Sequence, residues 1–199
     1  GYMQPAIHHL WVKTQLKLAL TNPLEEPDWS DISKLDDHWD AASMRHVQIK
    51  TEQIKLTNPL TQISLNAIGQ GYATDIVATM LRDAGVTSAK IDCGETYCIG
   101  NHPESRPWKL GIAGNDDLLG YIELSDTGLA VSSSSPDKIL LDPIKRQVVP
   151  SLTTAAITSK HGACTADAFA TAFAVAPKEK HPKLRQALEK LGESQVHVW

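Results

Sequence analysis

Apolar residues along this chain recur with two different periods, and the changes of period mark its elements. In residues 6–20, Ile7, Leu10, Trp11, Leu16 and Leu20 stand mostly three and four apart, which predicts an amphipathic helix stopped by Asn22-Pro23. Asp28-Trp29-Ser30-Asp31 offers an Asp or Ser cap for a second helix carrying Ile32 and Leu35. Val47-Gln48-Ile49-Lys50 and Gln53-Ile54-Lys55-Leu56 then alternate with period two, predicting a hairpin around Thr51-Glu52. From Ile63 the pattern predicts a strand, a glycine-containing turn through Gly71, and a helix over about 72–83 that Gly85 closes and that buries Ile76, Val77 and Met80. Strands are expected at 88–92, 108–112 and 120–124, the last two joined by Gly114-Asn115-Asp116-Asp117 as a meander. Leu129-Ala130-Val131 runs into four serines, Ser132 to Ser135. A strand near 153–159, a helix over about 165–176 and a last helix over 182–191 complete the reading. The expected class is α/β (α+β), a mixed β-sheet flanked by helices.

Length and composition narrow this further. A chain of 199 residues can bury roughly 70% of its unfolded surface in one core, so a single domain over 1–199 is the expectation. The 42% hydrophobic and 21% charged content is ordinary globular usage. A net charge of −4 supplies no basic field for a polyanion, which argues against nucleic-acid binding. No apolar run approaches the roughly 20 residues that span a bilayer, so the chain is expected to be soluble as given. The opening Gly1-Tyr2-Met3-Gln4 reads as a boundary or an internal cut, which leaves room for a leader or lipid anchor ahead of it. Cys93, Cys98 and Cys164 are too few for a disulfide framework and lack zinc-ligand spacing.

The segment Ala166-Asp167-Ala168-Phe169-Ala170-Thr171-Ala172 is helical in composition and rich in alanine, so it is expected to pack closely against a neighbour. Asp167 and Thr171 are four apart and share one face. A carboxylate with a hydroxyl suits Mg²⁺, which keeps waters and takes further oxygens from phosphates; the plainer reading is a capping Asp and a Thr bonded to its own backbone. Asn66-Ala67-Ile68-Gly69-Gln70-Gly71 places small residues at a strand-to-helix junction, where amides can meet phosphate oxygens or simply make a turn. Ser132, Ser133 and Ser134 offer hydroxyls, and Glu95 follows a strand end where α/β sheets commonly bind ligands. His161, upstream of the Asp167 helix, reads either as a residue that reaches a bound phosphate or, more plainly, as part of an ordinary surface loop with Gly162.

In their order these segments resemble the ApbE family of FAD:protein FMN transferases. Ser64-Leu65-Asn66-Ala67-Ile68-Gly69-Gln70-Gly71-Tyr72-Ala73 is similar to the family's glycine motif, with Asp75 at the expected distance. Cys93-Gly94-Glu95, Arg106-Pro107-Trp108, Leu124-Ser125-Asp126, Val131-Ser132-Ser133-Ser134 and Leu141-Asp142-Pro143 are similar to its later motifs. The Ala166–Ala172 segment matches its A-D-A-L-A-T-A helix closely. The resemblance implies Mg²⁺ held by Asp167, Thr171 and the main-chain carbonyl of Ala67. It implies FAD along Asn66, Ala67, Gly69, Gln70, Gly71, Tyr72, Glu95, Ser132, Ser133 and Ser134. A Thr hydroxyl of a partner flavoprotein would attack the FMN phosphorus, with AMP leaving; a periplasmic or membrane-anchored location and a further N-terminal segment missing here are also implied.

Three positions depart from the family pattern. Gln70 stands for its Lys, Ser64 for the Asp that opens the motif, and Ile139 for a His that is a candidate base, so no catalytic residue is assigned. Two other functions stay open beside the transferase: a flavin-binding or flavin-carrier module without transfer, and a structural partner without flavin.

Overall fold

The computed structural model describes residues 36–114, 117–134, 139–149 and 153–199. The helix expected over 6–20 and the capped start at Asp28 lie outside these residues, as does Ser135. In chain order the elements are α1 (Asp36–Ala41), β1 (Val47–Lys50), β2 (Gln53–Leu56), α2 (Gly69–Asp83), β3 (Ala89–Asp92), β4 (Thr96–Ile99), β5 (Trp108–Ala113), β6 (Leu118–Leu124), β7 (Thr127–Ser133), β8 (Leu141–Asp142), β9 (Gln147–Val148), β10 (Thr154–Ser159), α3 (Ala163–Val175), α4 (His181–Glu189) and β11 (Ser194–Val198). No helix among the described residues is long and apolar enough to cross a membrane. The chain divides into two compact units, one of residues 1–65 with 134–152 and one of residues 66–133 with 153–199.

In the first unit, α1 buries Trp39 and Ala41, and the expected hairpin forms as β1 against β2, with Ile49 opposite Ile54. The short β8–β9 ladder closes through Asp142, whose carboxylate accepts the amides of Ile144 and Lys145 at 2.8 and 3.0 Å, the side-chain turn that Asp favours. Arg146 follows in the left-handed region at φ 57° and reaches Asp36 and Asp40 with its guanidinium.

The second unit is built on a five-stranded sheet ordered β11-β10-β7-β4-β3, antiparallel at every pairing. The expected helix-flanked sheet is present, and the mixture is one of helix with strand rather than of strand directions. Alternation along the strands sends side chains to two layers. Cys98, Leu129 and Ala156 pack with Ile112, Ile122 and Leu124 of the β5–β6 hairpin, while Ile91, Tyr97 and Ile99 pack with Ala78 of α2 and Ala163 of α3. Both helices therefore lie on one face, α3 over β7 and β10 and α2 over β3 and β4.

Two expectations need correction around α2. No strand forms over residues 63–65; a turn at 66–68 leads straight into α2, which starts at Gly69 rather than near residue 72. Gly69 and Gly71 thus sit in the first helical turn, not in a loop. Nor does the helix bury Ile76 and Met80, which are 44% and 65% exposed; its inward face is Gly71, Thr74 and Ala78, with Val77 half-buried. The reason is distance. A Cβ on Gly71 would stand 2.6 Å from the Cα of Cys164, and one on Gly128 would strike the backbone of Ala163, so only small residues fit where α3 begins. Large apolar side chains are turned outward by this close approach.

The same crowding predicts a specific sensitivity. Gly128→Ala forces backbone against backbone and is expected to lower stability by about 3 kcal/mol, read as the free energy of urea unfolding; a variant as stable as the parent contradicts the packing described.

Candidate active site

The site forms where the N-terminal ends of α2 and α3 meet over β7. The alanine content of α3 lets it sink into the unit: Ala163, Ala166, Asp167, Ala170, Ala172, Phe173, Ala174 and Val175 are all buried. Asp167 is carried to 4% exposure by this packing. Its Oδ2 accepts the Gly71 amide at 3.3 Å, one of the first-turn amides of α2 that have no partner within their own helix. One turn on, the Thr171 hydroxyl lies 3.1 Å from the Ser132 hydroxyl on β7. The expected pairing of Asp167 with Thr171 on one face is therefore present, with Gly71 and Ser132 as their partners.

A second carboxylate joins them. Cys93-Gly94-Glu95 makes the tight connection from β3 to β4, with Gly94 at φ 99° and Gln70 packed so close beneath that a Cβ there would meet its side-chain amide at 2.7 Å. Thr74, fully buried, donates toward the carbonyls of Gln70 and Glu95 at 2.9 and 3.0 Å and ties the turn to α2. Glu95 Oε2 accepts the Val131 amide at 3.3 Å, next to Ser132. Burial, then the nearby charge of Asp167, pushes the Glu95 carboxyl up to about 8, although the Val131 amide works the other way. Burial likewise raises Asp167 to about 6 against the opposing Gly71 bond. Among the described residues neither carboxylate has a Lys or Arg partner.

Of the remaining expected site residues, Asn66 and Ala67 lie in the turn before α2, Gly69 and Gln70 in its first turn, and Tyr72 is 60% exposed. Ser133 pairs in register with Thr154. Ser134 falls in the first unit, as does buried Ile139. His161 sits in the turn before α3, where its amide bonds the Ser159 hydroxyl. No three His, Cys, Asp or Glu side chains gather as a metal cage among the described residues. A single buried carboxylate, a hydroxyl and uncompensated negative charge fit a hard cation that draws its other ligands from carbonyls, water and phosphate.

Sequence reading noticed Asp75 only by its place in a motif. In the structure its two oxygens accept the Ala163 and Cys164 amides at 2.7 and 2.9 Å, capping α3 from the neighbouring helix. The signal was absent because the N-cap position itself, Gly162, has no side chain to offer.

The carboxylate shifts fix a pH dependence. Both groups have folded values above their unfolded ones, so the folded state holds extra protons and stability falls as pH rises, for Glu95 from about 4.5 to about 8. Removing that charge should help most at high pH. Without added metal, the stability of Glu95→Gln relative to the parent is expected to rise by about 2 kcal/mol between pH 5 and pH 8 in urea unfolding; a flat difference contradicts the buried charge.

Comparison with known proteins bears on this geometry. Residues 3–193 match the family model described as the ApbE family. An FAD:protein FMN transferase of Rhodobacter capsulatus is 26% identical over 157 residues, spanning 72% of this chain and 30% of that protein. The ApbE protein of Thermotoga maritima superposes with a TM-score of 0.76 at 20% identity, covering 100% of this chain and 66% of the other. Flavin transferase ApbE of Vibrio cholerae gives 0.74 at 19% identity, with 100% and 64% covered. The chain thus spans under a third of the curated relative and under two thirds of these solved chains, and the structural likenesses show a shared fold. With its family model matched over nearly the whole length, the chain belongs to the ApbE family.

Proposed function

We propose that this protein is a flavin transferase that moves FMN from FAD to a threonine of a partner flavoprotein, working in the periplasm or at a membrane. The observation that carries the reading is buried Asp167 with half-buried Glu95 nearby, neither paired with a Lys or Arg among the described residues, beside the first-turn amides of α2. Mg²⁺ would be held by Asp167, Thr171 and the Ala67 carbonyl, and when bound it supplies positive charge against the pyrophosphate of FAD. The first-turn amides of Gly69 and Gln70, which α2 cannot satisfy within itself, would meet an anion with the positive end of the helix dipole. Ser132 holds the Thr171 hydroxyl in place, and Glu95 and Ser133 extend the flavin-binding surface proposed from the family motifs. In the transfer, the threonine oxygen attacks the flavin-side phosphorus, its proton passes to a base, the bond to the AMP oxygen breaks, and AMP leaves.

One observation favours a second reading, in which FAD is bound but not transferred. Ile139 is 6% exposed and apolar where the family pattern has a His, and Gln70 brings no charge where it has a Lys. The two readings separate in one experiment. Protein incubated with FAD, Mg²⁺ and a flavin-acceptor domain is expected to yield a fluorescent acceptor and an equivalent of AMP. Binding without AMP release supports the carrier, and no binding in a titration removes both.

Asp167→Ala is expected to abolish Mg²⁺-dependent FAD binding while circular dichroism stays that of the parent. Unchanged binding would place the metal elsewhere.

A further inference from the structure

The two helices that build the site hold each other by their N-terminal ends. From α2, Asp75 accepts the Ala163 and Cys164 amides of α3, and from α3, Asp167 accepts the Gly71 amide of α2. Each carboxylate thus satisfies backbone donors that the other helix cannot satisfy for itself. Three glycines keep the space open: Gly71 and Gly128 against the start of α3, and Gly162, at φ 128°, where a Cβ would meet the Asp75 carboxylate at 2.5 Å. A helix of this kind can rotate about its axis or slide along it, and either motion would carry Asp167 and Thr171 off their partners together, because they lie on one face. The bonds from Asp75 to two successive amides oppose both motions.

We propose that Asp75 is a positioning residue of this site: by gripping the first turn of α3 it sets the register in which Asp167 meets Gly71 and Thr171 meets Ser132. Its consequence for metal rests on the reading under Proposed function, but the clasp itself does not. A carboxylate that positions a metal-binding group from outside the ligand set changes metal affinity on the order of 10- to 100-fold when lost.

The primary readout is exchange of the Gly71 amide, followed by NMR in the metal-free protein, since its one bond across the clasp is to Asp167. Asp75→Asn places an amide group, itself a donor, against two donor N–H groups. Gly71 exchange should then quicken about tenfold or more, while Leu188→Ala, which removes a buried side chain under α4, should leave Gly71 exchange within about twofold once the two variants are compared at equal global stability. Asp75→Glu, which restores the charge, should recover part of the protection. Titration with Mn²⁺ alone is expected to show affinity about tenfold weaker in Asp75→Asn than in the parent. Unchanged Gly71 exchange in Asp75→Asn, or equal quickening in Leu188→Ala, overturns the proposal. A parent that binds no Mn²⁺ while Gly71 responds as expected would count against the metal reading and leave the positioning role supported.

Discussion

Everything in the second unit follows from how closely the first turn of α3 approaches its surroundings. Backbone at Ala163 and Cys164 lies against Gly71 on one side and Gly128 on the other, with no room for a methyl group at either glycine. Dispersion favours such contact because many atoms meet at short range, but the gain requires that the polar backbone at the helix start find partners. Asp75 provides them. Close packing and long-range capping are therefore one arrangement, and the acidic site is formed by the same approach.

Electrostatically that arrangement is unbalanced. Ordinary packing would pair a buried carboxylate with a cation or neutralise it. Here neither Asp167 nor Glu95 has a Lys or Arg partner among the described residues, and burial answers by raising both carboxyls toward the protonated form. Cys164 shares the surroundings, and burial, then the charges of Asp75 and Asp167, push its thiol up despite its place at a helix N-terminus. Carboxyls that release their protons as a cation binds, set beside the amides of a helix start, make a chemically mixed site, suited to a cation and an anion together rather than to either one.

Legibility in the sequence was uneven for physical reasons. The β1–β2 hairpin and the β5–β6 pair were plain because period-two alternation survives wherever a strand pair has one apolar face. The Asp167–Thr171 face was plain because helical spacing alone defines it. Reading α2 failed at Ile76 and Met80 because apolar periodicity gives weight to large side chains, whereas a helix pressed against alanine and glycine buries its small ones. Asp75 was missed as a cap for a related reason: its bonds reach 88 and 89 residues along the chain, and no local pattern reports them. The strand expected before α2 rested on a brief apolar alternation from Ile63, too short a signal to outweigh the turn at 66–68.

The alanines of α3 can also be seen as a record of tolerance. Where neighbouring backbones meet at van der Waals distance, the alphabet open to a position is set by volume before chemistry. Ala163, Ala166 and Ala170, each with no exposed surface, admit little beyond glycine or serine. Mutational drift in this chain is thereby channelled: outward positions such as Ile76 and Met80 can change freely in size, while the buried helix can change only by atoms.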